Sequence, residues 1–210
     1  MIEIFGDIMT KIKFCGLTRL EDIEFANKLL PDYIGFVFAE KSRRRVTVEQ
    51  AAELKKFLDA KILSVGVFVN EKVESVVEIC RRGIIDAVQL HGNEDEIYIA
   101  ELRALTDKII IKAFKVTSEI DLRHAETCTA DYVLLDGGAG DGKIFDWRLL
   151  KNFRREYFLA GGLNVENVGD ALKILNPYAV DVSSGIETGG VKDFEKMRKF
   201  IRAVGRILND

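Results

Sequence analysis

Several residues of this chain could move a proton or hold an anion, and most of them end short apolar runs. Asp136 closes YVLLD, with four apolar neighbours before it. A carboxyl desolvated in that way has its charged form disfavoured, so Asp136 is expected above the usual carboxylate range, which suits a general acid. Cys15 closes KIKFC. Alone it says little, because a free cysteine is usually a small buried hydrophobe, and Cys80 and Cys128 are read that way. His91 follows Gln89 by two positions, and Ser183 follows Asp181 by two. Two glycine-bearing stretches offer backbone N–H groups of the kind that cradle phosphate. They are AGGLN, with Gly161 and Gly162, and DVSSGIETGG, with Ser183, Ser184 and Gly185. KSRRR (Lys41–Arg45) is a basic cluster, and an arginine fork is the natural partner of a carboxylate.

Each feature also has a plainer explanation. Polar residues recurring on one strand face can form satisfied pairs in an interior. Glycine turns can simply begin helices, and a charge run is normally a solvated face. His91 is as readily a structural hydrogen-bonding residue as a ligand contact. A site is favoured because such residues recur at the ends of five runs at once: Cys15-Gly16, Gln89–Gly92, Asp136–Gly138, Gly161-Gly162 and Asp181–Gly185.

The elements that must position them follow from periodicity. Eight apolar runs cover Lys11–Gly16, Tyr33–Phe38, Ile62–Val69, Ala87–Gly92, Ile109–Val116, Tyr132–Gly137, Tyr157–Gly162 and Ala179–Gly185. Near-continuous apolar runs are the mark of strands buried on both faces. Amphipathic stretches lie between them, such as VTVEQAAELKKFLDA, EKVESVVEICRRG and NVENVGDALKILN, the last with Asn164 as its N-cap. The segment after the sixth run, Asp146–Phe153, is short, and Asp193–Leu208 closes the chain. Strict alternation implies parallel βαβ units, and eight of them imply a closed (β/α)8 TIM barrel. No Gly-x-Gly-x-x-Gly follows the first strand, which argues against a dinucleotide fold. In such a barrel the active site lies at the C-terminal strand ends, and phosphate commonly binds in the loops after strands seven and eight.

Composition narrows the function class. The 210 residues suit a single domain, and no linker divides them. Lys+Arg 31 against Asp+Glu 34 leaves a formal charge of -3, which gives no support for nucleic acid or a membrane surface as partner. Three cysteines at irregular spacing make no disulfide framework, and with two histidines they make no zinc module, so a reducing cytoplasm fits best. No apolar run reaches the roughly 18 residues needed to span a bilayer. The acidic start MIEIFGDIMTK is no signal peptide, and Met1–Ile8 reads as a loosely held extension, the barrel beginning at about Lys11.

Taken in order, KIKFCGLT, GFVF followed by KSRR, VGVFVN, VQLHG, LLD, GKIFDW, LAGGLN-x-ENV and AVDVSSGIE resemble the phosphoribosylanthranilate isomerases of tryptophan biosynthesis, from about Lys11 to the end of the chain. The resemblance implies an Amadori rearrangement of N-(5′-phosphoribosyl)anthranilate to 1-(2-carboxyphenylamino)-1-deoxyribulose 5-phosphate. By motif, Cys15 matches the general base and Asp136 the general acid. Arg44 matches the residue that faces the anthranilate carboxylate, and Asp181 matches an aspartate near the substrate amine. Gln89 and His91 are placed among the substrate-binding residues. Gly161, Gly162, Ser183, Ser184 and Gly185 match the phosphate cradle. Proton transfer is the whole reaction, so the resemblance implies no cofactor and no metal, a small phosphosugar as the partner, and a monomer or homodimer. Two departures stand out: the loop Gly137–Lys143 is compact for the family, and the leader has no counterpart. Two other readings compete. The sister Amadori isomerase of histidine biosynthesis pairs two aspartates and binds two phosphates, whereas here the first strand ends in Cys15 and the front half lacks a glycine-rich phosphate loop. A non-catalytic phosphosugar-binding barrel is opposed by the presence of both Cys15 and Asp136.

Overall fold

Lys11, Lys13 and Cys15 share one face of the first strand, β1 (Lys11–Cys15), while Ile12 and Phe14 share the other and are fully buried. That period-two alternation separates the two cores of the molecule. In the computed structural model, which describes residues 9–138 and 147–206, the strands form one closed parallel barrel in chain order. After β1 come β2 (Tyr33–Val37), β3 (Leu63–Phe68), β4 (Ala87–Leu90) and β5 (Ile109–Lys115). β6 (Tyr132–Asp136), β7 (Tyr157–Ala160) and β8 (Ala179–Val182) complete the wall. β8 pairs with β1 in the register Lys11↔Ala179 and Lys13↔Asp181, which closes the ring. The expected TIM barrel is therefore the fold, in a single domain. Observed strands are one to three residues shorter than the apolar runs at the end that feeds the site, where the chain turns into loops. The leader Met1–Ile8 and residues 139–143 of the compact loop lie outside the described residues.

Inward-facing residues fill the barrel in layers. Tyr33, Val65, Ala87, Ile111, Leu134, Phe158 and Ala179 form one cluster inside the ring. Phe158 is its centre, with ring centroids 5.4 Å from Tyr33, 5.8 Å from Tyr132 and 5.5 Å from Tyr178. The polar rims of these rings are satisfied at the barrel floor: Lys11 Nζ donates to the Tyr178 hydroxyl at 2.9 Å, and the Tyr33 and Tyr178 hydroxyls lie 2.8 Å apart. The opposite strand faces, with Phe14, Ile34, Phe36, Val88, Ile110 and Val180, bury against the helices.

Those helices are α1 (Leu20–Leu29), α2 (Val48–Lys56), α3 (Val73–Arg81), α4 (Glu96–Leu105), α5 (Glu119–Thr127), α6 (Val168–Ile174) and α7 (Phe194–Ala203). Their starts follow local chemistry. At α2 the Thr47 hydroxyl accepts from the Gln50 N–H at 3.1 Å, while the Gln50 side chain accepts from the Thr47 N–H at 2.8 Å, a reciprocal cap readable in TVEQ. Cys80 on α3 and Cys128 just after α5 are buried hydrophobes, as expected. No described helix is long and apolar enough to cross a membrane.

Three local details refine the expected elements. The Asn164 side chain accepts from the N–H groups of Glu166 and Asn167, and the Asn167 side chain accepts from the Asn164 N–H at 2.8 Å, so Asn164 caps the turn that leads into α6, which itself begins after Asn167. After β6 the described part of the short helix-like segment is a 3-10 turn, Trp147–Leu150. And β8 leads not straight into α7 but into a hairpin of β9 (Glu187–Thr188) and β10 (Val191–Lys192).

Phe158 has no exposed surface, sits at the barrel floor and is remote from the strand ends that carry the chemistry. Phe158→Ala is expected to cost about 3–5 kcal/mol, the range for a buried aromatic that leaves a cavity. Urea unfolding measures it; a loss below about 1 kcal/mol would mean that the tyrosines close over the gap.

Candidate active site

A cavity of about 670 Å³ opens at the C-terminal ends of the strands. Barrel alternation selects what points into it. Cys15, Gln89, His91, Asp136, Asp181 and Ser183 all lie on the inward register of their strands and line this cavity, as does Lys115 beside Asp136. Arg44, Gly161, Gly162 and Ser184 join them from loops. Gly185 is not in the lining; it forms a bridge with Asn164 and so ties the loop after β8 to the loop after β7. Among the described residues, no group of three or more His, Cys, Asp and Glu could hold a metal ion.

The floor of the site is an ion pair. Lys13 Nζ lies 3.1 Å from both carboxylate oxygens of Asp181, with Lys13 wholly buried. Burial disfavours the lysine's charge, but the Asp181 carboxylate and Cys15 together outweigh it and hold Lys13 above its usual range. One layer up stands Cys15, half-buried. Burial pushes its thiol above the ordinary value; the ammonium groups of Lys13 and Lys192 pull the other way and only partly offset this, while Asp181 adds to it.

Asp136 stands on β6, three strands from Cys15 around the wall. Its carboxylate accepts from the Gly138 N–H at 2.8 Å and lies 3.5 Å from His91 Nε2. Gln89 Nε2 is 2.9 Å from His91 Nδ1. With the amide placed so, Nδ1 accepts and the ring proton sits on Nε2, facing Asp136. The expectation of a raised Asp136 is overturned here. Burial does push the carboxyl up, but His91, the Gly138 N–H and Lys115 together outweigh it and hold Asp136 below the usual range. The partners come from β4, β5 and the following loop, none of which is visible in YVLLD. Gln89, nearly without exposure, keeps its Oε1 unpaired at the cavity wall.

The basic cluster divides by burial. Arg43 and Arg44 both line the cavity, Arg43 exposed at its edge and Arg44 half-buried, whereas Arg45 is exposed and outside the lining. Its stem passes under Gly16, where the backbone has φ +78° and a Cβ would stand 2.3 Å from Arg44 Cδ, so only glycine fits. Its guanidinium grips Glu187 through Nε at 2.6 Å and Nη2 at 2.9 Å. Opposite, Gly161 has φ +96° and its missing Cβ would meet the Gly137 N at 2.5 Å and Asp136 Oδ1 at 2.7 Å, which lets the loop after β7 close against the acid. The Ser183 hydroxyl donates to the Cys15 carbonyl at 2.9 Å, joining the loop after β8 to β1.

Sequence reasoning missed Glu187 and Lys192. Both are buried, and Lys192 Nζ reaches Glu187 at 2.8 Å and the Ser183 carbonyl at 3.0 Å. The available signal was E-T-G-G-V-K: two charges flanking a two-glycine turn mark a short hairpin whose ends face each other.

The chain matches the family described as N-(5'phosphoribosyl)anthranilate (PRA) isomerase over residues 12–203. It is 48% identical over 199 residues to an N-(5'-phosphoribosyl)anthranilate isomerase of Endomicrobium trichonymphae, spanning 92% of this chain and 98% of that one. The crystal structure of phosphoribosyl anthranilate isomerase from Thermotoga maritima superposes with a TM-score of 0.86 at 37% identity, covering 93% of this chain and 98% of that chain. A further crystal structure of such an isomerase, in complex with reduced 1-(o-carboxyphenylamino)-1-deoxyribulose 5-phosphate, superposes with a TM-score of 0.84 at 36% identity and the same coverage.

Cys15 is the most exposed of the three cysteines, Cys80 and Cys128 being buried. Iodoacetamide is therefore expected to alkylate Cys15 first. Because burial raises this thiol, the rate should climb only above the ordinary thiol range. Peptide mass spectrometry across a pH series reads both; a midpoint below the ordinary value would contradict the electrostatics described.

Proposed function

This chain belongs to the N-(5′-phosphoribosyl)anthranilate isomerase family, is an isomerase of tryptophan biosynthesis, and, we propose, works with Cys15 as general base and Asp136 as general acid. The supporting observation is that one cavity has a thiol and a carboxyl on its wall, a guanidinium at one side and two glycine-bearing loops at the other. A substrate with a carboxylate at one end and a phosphate at the other matches that distribution. Arg44 meets the anthranilate carboxylate. The loops with Gly161-Gly162 and Ser183-Ser184 receive the phosphate, and Gly185 holds the two loops together.

Asp136 protonates the furanose ring oxygen, and the C1′–O bond breaks to give a Schiff base. The Cys15 thiolate then removes the proton from C2′, whose electrons move to form the enolamine. Tautomerisation, with loss of the 2′-hydroxyl proton and protonation at C1′, yields the ketose. Asp181, paired with Lys13 at the floor, lies beneath the C1′ amine. Gln89 fixes the His91 tautomer, and His91 orients the Asp136 carboxyl.

The ionisation states set a condition on this scheme. The acid must carry a proton and the base must lack one, yet in the free enzyme Asp136 is held low and Cys15 high. With the acid's pKa below the base's, the competent form is a small fraction of molecules, constant between the two pKa values. kcat/KM, which reports the free enzyme, is then flat through neutrality. Its acid limb reports Asp136, displaced below the ordinary carboxyl range, and its alkaline limb reports Cys15, displaced above the ordinary thiol range. The measurement is kcat/KM against pH by product fluorescence, allowing for the substrate phosphate's own ionisation. A narrow bell centred near neutrality would mean that the two groups have the opposite shifts.

Cys15→Ser and Asp136→Asn each remove the transferable proton site while keeping shape. Each is expected to lower kcat by about 10²–10⁴-fold with KM little changed, the usual scale for general acid–base groups. Cys80→Ser and Cys128→Ser serve as controls. Near-wild-type turnover in Cys15→Ser would remove the base assignment, and near-wild-type turnover in Asp136→Asn would pass the acid role to His91.

A further inference from the structure

Glu187 is a carboxylate almost without exposure that three cations surround. Arg44 approaches it at 2.6 Å, Lys192 at 2.8 Å and Arg43 at 3.0 Å. The three contacts are not alike. Arg43 is solvent-exposed, and such pairs contribute little. Lys192 is as buried as Glu187 and also reaches the Ser183 carbonyl, so it anchors the carboxylate to the loop after β8. Arg44 makes the bidentate contact, through Nε and one hydrogen of Nη2.

A guanidinium has five N–H donors arranged on two usable edges. Glu187 occupies the Nε–Nη2 edge. The Nη1–Nη2 edge is left, and among the described residues no hydrogen bond engages Nη1. That second edge is itself a fork of the right geometry for another carboxylate. Arg44 is thus held at both ends: its stem lies under Gly16, and its head is clamped by a buried acid from a hairpin 143 residues away. An arginine free to rotate would lose more conformational freedom when it met a ligand carboxylate; one already clamped loses less.

We propose that Glu187 is a positioning residue that makes this enzyme selective for a carboxylated aryl amine, because it grips one edge of Arg44 and so aims the other edge at the substrate carboxylate. The proposal rests on the reading of Arg44 given above. It also assigns a purpose to the hairpin: through Glu187 and Lys192 it sets the spacing between the carboxylate-binding side of the cavity and the loop with Ser183-Ser184.

The experiment compares two substrates, N-(5′-phosphoribosyl)anthranilate and the analogue made from aniline, which lacks only the carboxylate. kcat and KM are measured for the wild type, Glu187→Gln and Arg44→Ala. Arg44→Ala is expected to raise KM for the carboxylated substrate roughly ten- to hundred-fold, the scale of an arginine–carboxylate bond, and to affect the aniline compound far less. Glu187→Gln is expected to raise the same KM about ten-fold with kcat little changed, again sparing the aniline compound, since a neutral amide grips the fork more weakly. Glu187→Asp keeps the charge but not the reach, and its discrimination should fall in the same direction; it replaces Glu187→Gln if that variant does not fold. Equal losses on both substrates would reduce Glu187 to a folding role, and a lower KM for the carboxylated substrate would make it a competitor for Arg44; either overturns the proposal. If Arg44→Ala shows no preference between the substrates, the reading of Arg44 itself fails. If Arg44→Ala discriminates and neither Glu187 variant does, only the positioning proposal fails.

Discussion

The ion pair between Lys13 and Asp181 sits where β1 meets β8, at the seam that makes an open sheet into a barrel. Both groups face inward, and the low dielectric there makes each intolerable without the other. Removing one partner of such a pair strands a buried charge and typically costs about 3–5 kcal/mol. The pair therefore ties the first strand to the last and fixes their relative register. Everything above it inherits that register. Cys15 stands two residues beyond Lys13 and Ser183 two beyond Asp181, and the bond from the Ser183 hydroxyl to the Cys15 carbonyl repeats the seam one layer higher.

The pair also sets the electrostatics of the mouth. Two buried ammonium groups, Lys13 and Lys192, act on Cys15, yet each is already matched by a carboxylate, Asp181 or Glu187. Their charge is therefore largely spent before it reaches the thiol, and burial wins. At Asp136 the balance tips the other way, because a ring N–H, a backbone N–H and Lys115 converge on a group that is only half-buried. Asp136 and Cys15 are held in their resting ionisation states by their surroundings. In the proposed scheme, chemistry draws on the minority in which Asp136 carries its proton and Cys15 has lost its own.

The loops around the cavity are tied to one another in a related way. The loops after β7 and β8 are joined by the Asn164–Gly185 bridge, and the hairpin after β8 reaches across to Arg44. One short segment, from Ser183 to Lys192, thus touches β1 beside Cys15, the loop after β7 and Arg44. On the proposed reading, that segment is a fixed span between the groups that would meet the two charged ends of the substrate.

The sequence by itself determined the architecture and most of the residues that line the cavity. Apolar runs alternating with amphipathic segments specified eight parallel units, and period two specified which residues share a face: Lys13 with Cys15, Gln89 with His91, Asp181 with Ser183. Those are local properties, set by pleat and by burial, so they can be read without knowing what lies opposite. The tertiary structure alone decided the pairings across the barrel. It made Arg44, rather than Arg43 or Arg45, the half-buried arginine, because a buried acid 143 residues later holds it through two nitrogens. It reversed the expected shift of Asp136, because His91 arrives from β4 and Lys115 from β5. It set a capped turn between Asn164 and the start of α6 and inserted a hairpin where a loop was expected. Each of these depends on contacts between segments far apart in the chain, and barrel closure, not local pattern, brings such segments together.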